Sequence, residues 1–122
     1  MRVLIVDDYP GVVELYDVAL GARGFEVVGA ATAGEAMTRA ASERFDAVVL
    51  DVELPDGSGA ELAERLRAIP RLATAPLVGM SSYAPLSVRE RFDGFLAKPF
   101  HPKRLASLLR RLSRRAPDPV RA

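Results

Sequence analysis

Short apolar runs alternate with amphipathic stretches along the chain. Val3-Leu4-Ile5-Val6, Ala47-Val48-Val49-Leu50, Leu77-Val78-Gly79-Met80 and Phe95-Leu96-Ala97 are unbroken apolar runs. That is the pattern of strands buried on both faces. With the segment around Val27 and Val28, they predict strands near 2–6, 26–30, 46–50, 76–80 and 94–97. Helices are predicted near 11–22, 33–43, 58–68 and 102–114. Strands alternating with helices of this length indicate crossover units and an α/β fold built on a parallel sheet. Thr32 with Glu35 and Ser58 with Glu61 have capping-box spacing, and Gly24 stands where the first helix should stop. Leu105, Leu108, Leu109 and Leu112 form one apolar stripe of the last helix, and Val12, Leu15, Tyr16 and Ala19 form one in the first. Both stripes read as core.

Composition narrows the class. The chain has 122 residues, 49% hydrophobic and 27% charged, enough for one domain with its own core. Residues 1–115 are expected to form that domain, and 116–122, with Pro117 and Pro119, a frayed tail. No apolar run is long enough for a membrane helix, and with a strand expected from residue 2 no leader is expected. Cysteine is absent, which excludes disulfides and thiolate metal sites. A cytoplasmic protein with no membrane partner is expected. From Lys98 onward there are two lysines and six arginines against Asp118 alone, so the formal charge of +1 hides a basic C-terminal segment. No aromatics interleave those arginines, and a solvated helix explains them. Nucleic-acid binding by this domain alone is not expected.

Polar residues at the strand ends carry the chemistry. Asp7 and Asp8 follow the first strand, Asp51 the third, Ser81 the fourth and Lys98 the fifth. Ligands of open parallel sheets bind beyond the carboxyl ends of the strands. Each residue alone has an ordinary explanation: paired acids favour a helix N-terminus, and Lys-Pro often merely ends a strand. Together they place three carboxylates, a hydroxyl and an ammonium at one edge. Clustered carboxylates repel unless a cation intervenes, and Mg²⁺ takes oxygen ligands while keeping waters. The expected metal set is Asp7, Asp8, Asp51 and the backbone carbonyl of Glu53. Asp51 could then act as a nucleophile toward a phosphoryl group, with Ser81 and Lys98 on its oxygens.

The segments VLIVDD at 3–8, VVLDVELPDGSG at 48–59, MSSYA at 80–84 and FLAKPF at 95–100 resemble the receiver domain of two-component response regulators. The resemblance covers nearly the whole chain. It implies a doubly wound five-stranded parallel sheet in the order 2-1-3-4-5, flavodoxin/CheY-like. It also implies Asp51 as phosphoacceptor, Mg²⁺ at Asp7, Asp8 and Asp51, Ser81 as switch hydroxyl, Lys98 as active-site lysine and Phe95 as switch aromatic. The phosphoryl donor would be a histidine kinase or a histidine phosphotransfer protein, and the output partner is unknown. Such a domain is a signalling element, not an enzyme beyond its own phosphorylation and dephosphorylation. Glu53 and Tyr83 fall at positions that tune phosphoryl lifetime in that family.

One departure is visible. Ser81 and Lys98 are only 17 positions apart, and Pro85 restricts a helix start between them. A shortened or missing fourth helix is expected, confined to residues 86–92, with output through that face weak and the first and fifth helices exposed to partners. Three other readings make different demands on the sequence. A degenerate receiver would be a constitutive interaction module. A flavodoxin-type binder would want hydroxyls and glycines where Asp7 and Asp8 stand. An aspartyl phosphatase would want a second aspartate where Glu53 stands. His101 reads as a helix-start residue. Gly21, Gly24, Gly29 and Gly34 form no dinucleotide fingerprint.

Overall fold

The computed structural model describes residues 1–115; the expected tail at 116–122 lies outside them. Five parallel strands, β1 (Arg2–Val6), β2 (Glu26–Ala30), β3 (Ala47–Asp51), β4 (Leu77–Ser81) and β5 (Gly94–Ala97), form one sheet in the order β2-β1-β3-β4-β5. This is the doubly wound fold expected from the sequence. Helices α1 (Val12–Gly21), α2 (Ala33–Ser42), α3 (Gly59–Arg67), α4 (Leu86–Arg89) and α5 (Pro102–Arg115) connect and cover the strands.

Alternation within the apolar runs sorts the core into two layers. Val3 and Ile5 of β1, Val49 of β3 and Met80 of β4 pack with Tyr16 and Leu20 of α1 and Leu105 and Leu109 of α5. Leu4, Val6, Val48, Leu50 and Leu77 face the other way, against Ala36 and Ala40 of α2 and Leu62 and Leu66 of α3. Every strand residue named here is fully buried.

Several local expectations need correction. Strands β3 and β4 each run one residue further than the apolar pattern suggests. Asp51 pairs with Met80 and Ser81 with Ala97, so these polar residues still use their backbones in the ladder. In α1 the buried stripe is Tyr16 and Leu20, while Leu15 is 58% and Val18 75% exposed. Thr32 caps α2 as expected, accepting from Glu35 N–H at 3.0 Å. Ser58 caps α3 by accepting from Ala60 N–H at 3.1 Å instead of from Glu61. Two short elements escaped the periodicity: an antiparallel pairing of Glu53–Leu54 with Gly57–Ser58, and a 3₁₀ turn at Pro70–Leu72.

The fourth helix is short, as the sequence implied. Its four residues make one turn, and Leu86 is exposed. Phe92, just beyond it, is buried on the α2–α3 side of the sheet. Its ring lies over Gly79 of β4; a methyl group added at Gly79 would stand 2.8 Å from Phe92 Cδ2. Absence of a side chain at 79 therefore gives the ring its seat, and Val88 packs beside the same cluster.

Candidate functional site

Asp7 leaves the end of β1, where its N–H donates to the Ala30 carbonyl at 3.0 Å. The residue is 2% exposed. Oδ1 accepts from Tyr9 N–H at 2.9 Å, which turns the chain away from the sheet. Asp8, next along, is exposed. Asp51 ends β3, and its Oδ1 accepts from Glu53 N–H at 2.8 Å. Gly59 opens α3 directly against this strand end: its N–H donates to the Val52 carbonyl at 2.7 Å, and a side chain at 59 would collide with the Asp51 carbonyl oxygen.

Lys98 joins the two acid loops. Its backbone N–H continues the ladder to the Ser81 carbonyl at 2.8 Å. Its Nζ donates to Asp7 Oδ2 at 3.0 Å and to Asp51 Oδ2 at 2.7 Å. Burial works against the ammonium, but the bonds to Asp51 and Asp7 outweigh it and hold the Lys98 pKa above the usual lysine value. The Lys98–Pro99 peptide is cis. Ser81 is 4% exposed, and its hydroxyl is engaged locally. Oγ donates to the Tyr83 carbonyl at 2.7 Å and accepts from Tyr83 N–H at 3.1 Å.

These residues line one open cavity of about 350 Å³, with Asp7, Asp8, Asp51, Glu53, Ser81 and Lys98 all on its wall. Of the residues singled out from the sequence, Phe95, half-buried in β5, and the exposed Tyr83 do not line it. Among the described residues no three acidic or histidine side chains form a ready-made metal cage. Apart from the Lys98 ammonium, the polar side-chain atoms of its lining residues are nonetheless all oxygens, and they suit a hard cation that keeps several waters better than one needing a closed shell.

The contacts of Arg89 and His101 were not legible beforehand. The Arg89 guanidinium lies 5.2 Å over the Phe95 ring, and its Nε donates to the Ala84 carbonyl at 3.0 Å. Nothing in the spacing of an irregular segment could signal that. His101 is more than a helix-start residue: its Nδ1 accepts from Lys103 N–H at 3.0 Å and so caps α5. A second cavity, about 470 Å³, opens between β5 and α5, lined by Phe95, Leu96, Lys103, Arg104, Leu108 and Arg111 among others. None of the five strand-end residues reaches it. No helix among the described residues is long and apolar enough to cross a membrane.

Comparison with known proteins shows the family and the fold. The chain is 30% identical to the DNA-binding response regulator MtrA of Mycolicibacterium smegmatis, over 96% of this chain and 52% of that protein. It is 36% identical to the probable transcriptional regulatory protein TcrX of Mycobacterium tuberculosis, over 94% of this chain and 50% of that one. The chain thus spans about half the length of these two relatives. A CheY-like response regulator receiver domain from Methanospirillum hungatei superposes with a TM-score of 0.86 at 28% identity, covering 93% of this chain and 94% of its own. The family model of the response regulator receiver domain matches residues 3–110. With its strand-end acids, hydroxyl and lysine gathered at one pocket, the chain belongs to the response regulator receiver domain family.

Proposed function

We propose that Asp51 is a phosphoacceptor, taking a phosphoryl group from the phosphohistidine of a histidine kinase or histidine phosphotransfer protein. The observation that carries this reading is the pairing of Lys98 with both Asp7 and Asp51 on the wall of an open cavity. In the transfer, an Asp51 carboxylate oxygen bonds to phosphorus as the phosphorus–nitrogen bond breaks, and the electron pair stays with the imidazole. Asp8, Asp51 and the Glu53 carbonyl would hold Mg²⁺, with Asp7 acting through water. When bound, the cation offsets negative charge on the phosphoryl oxygens.

Lys98 is already charged and positioned, so it needs only to shift from a carboxylate to a phosphoryl oxygen. Ser81 must give up its bond to the Tyr83 carbonyl to donate to another phosphoryl oxygen. That release frees the segment from Ser82 to Ala84. Arg89, bonded to Ala84 and lying over Phe95, passes the movement to β5. Leu15 and Val18, exposed on the helix that leaves the acid loop, offer the donor an apolar contact.

A second reading, a receiver that binds partners without switching, draws support from the one-turn α4. One experiment separates the two. The protein is treated with acetyl phosphate and Mg²⁺, and the product is analysed by intact mass and peptide mapping. One phosphoryl group on Asp51, absent from Asp51→Asn and without Mg²⁺, supports phosphoacceptance. Labelling of Asp51→Asn at the wild-type rate would place the nucleophile elsewhere, and no labelling of the wild type would favour the non-switching module.

A further inference from the structure

Asp56 reaches from the loop after β3 to the start of α2. Its Oδ1 accepts from Ala33 N–H at 2.7 Å and its Oδ2 from Gly34 N–H at 3.0 Å. A helix leaves its first amides without partners inside the helix. Here Thr32 meets the one at Glu35, and a carboxylate 22 residues further along the chain meets two more. The Gly34 and Ala33 amides hold the Asp56 carboxyl below the usual aspartate range, so the bridge is ionic at neutral pH.

The bridge starts from the loop that carries the proposed chemistry. Asp56 sits at the tip of the short hairpin formed by Glu53–Leu54 and Gly57–Ser58. Glu53 at its base donates to Asp51 Oδ1. The segment that receives Asp56 also holds the other acid loop, because Asp7 N–H donates to the Ala30 carbonyl. Ala30 therefore anchors the Asp7–Asp8 loop by a backbone bond, and Ala33 and Gly34 anchor the Asp51–Glu53 loop through Asp56.

We infer that Asp56 is a positioning residue. Docked on α2, it fixes the separation of the two acid loops and thereby sets the affinity of the pocket for a divalent cation. Asp56 lies outside the residues lining the cavity and touches no reacting group. The inference rests on the phosphoacceptor reading given above. A simple helix cap is the competing explanation, and Thr32 supplies the control, since Thr32→Ala removes a cap from the same helix end without touching the hairpin.

Calorimetric titration of Mg²⁺ into the wild type, Asp56→Ala, Asp56→Asn and Thr32→Ala, each with a thermal melt, tests this. Asp56→Ala should weaken Mg²⁺ binding by about tenfold, the lower end of what residues orienting metal ligands contribute. Asp56→Asn, which keeps one carbonyl acceptor, should recover part of the loss; it also reads the same quantity should the alanine variant fail to fold. Thr32→Ala should lower the melting temperature and leave Mg²⁺ affinity unchanged. Unchanged affinity in both Asp56 variants, with only the melts lowered, would reduce Asp56 to a helix cap. A wild type that takes up no Mg²⁺ would overturn the phosphoacceptor reading and this inference with it.

Discussion

Lys98 Nζ stands 2.7 Å from Asp51 Oδ2, so the residue proposed to accept phosphate is ion-paired before any donor arrives. The partners come from the ends of β5 and β3, two strands separated in the sheet by β4. Both side chains are partly screened by solvent, which places the pair between an exposed ion pair and a fully buried one.

Lys98→Ala should therefore lower stability by about 1–2 kcal/mol, between the limits for exposed and buried pairs. It should also tighten Mg²⁺ binding, because Asp7 and Asp51 lose their counter-charge. Asp8→Asn should do the opposite and weaken Mg²⁺ binding strongly. Urea melts and Mg²⁺ titrations of the two variants check both signs; equal Mg²⁺ affinity in Asp8→Asn and wild type would remove Asp8 from the metal set.

Gly79→Ala should destabilise the fold by about 1–3 kcal/mol, the usual cost of overpacking a close-fitted core site. The added methyl meets the Phe92 ring. Phe92→Leu combined with Gly79→Ala should cost less than the two single changes added together. Additive losses in the double-mutant cycle would show that the two positions do not contact.

Stability should respond to acid through Asp56. Its carboxyl lies below the ordinary value of 3.8 in the folded protein. A depressed carboxyl stabilises the fold above its unfolded pKa, and that contribution fades as pH falls through the folded value. The melting-temperature gap between wild type and Asp56→Asn should thus be full at pH 7 and narrow below about pH 4. A gap that stays constant down to pH 3 would show that the charge is not what the start of α2 reads.

Hydrogen exchange should be fastest, among the described residues, between Tyr83 and Arg91. Leu86 is exposed, α4 has one turn, and only Ala84 and Phe92 are firmly buried nearby. Little buried apolar area means low local stability. Protection across 84–91 matching that of α5 would contradict this.

The apolar runs made the sheet legible, because a strand buried on both faces tolerates little else. They also placed Asp7, Asp8, Asp51, Ser81 and Lys98 together, since parallel strands share one carboxyl edge. The first helix was harder. Val12, Val13, Leu15, Tyr16, Val18 and Leu20 offer apolar positions nearly all round, and only packing against Phe25 and α5 turns Tyr16 and Leu20 inward. Asp56 and Arg89 could not be read in advance. Their partners lie on other elements, and a carboxylate in a Pro-Asp-Gly turn looks like ordinary turn chemistry.

The seat of Phe92 over Gly79 has a consequence for descent. On the α2–α3 side of β4, where α4 supplies only one turn, the Phe92 ring covers the strand. An aromatic ring set on a bare α-carbon is a plug that needs two positions to agree. Positions 79 and 92 should therefore be inherited as a pair. Among relatives with the same short connection, a bulkier residue at the first should accompany a smaller one at the second, whereas relatives with a full helix should vary freely at both.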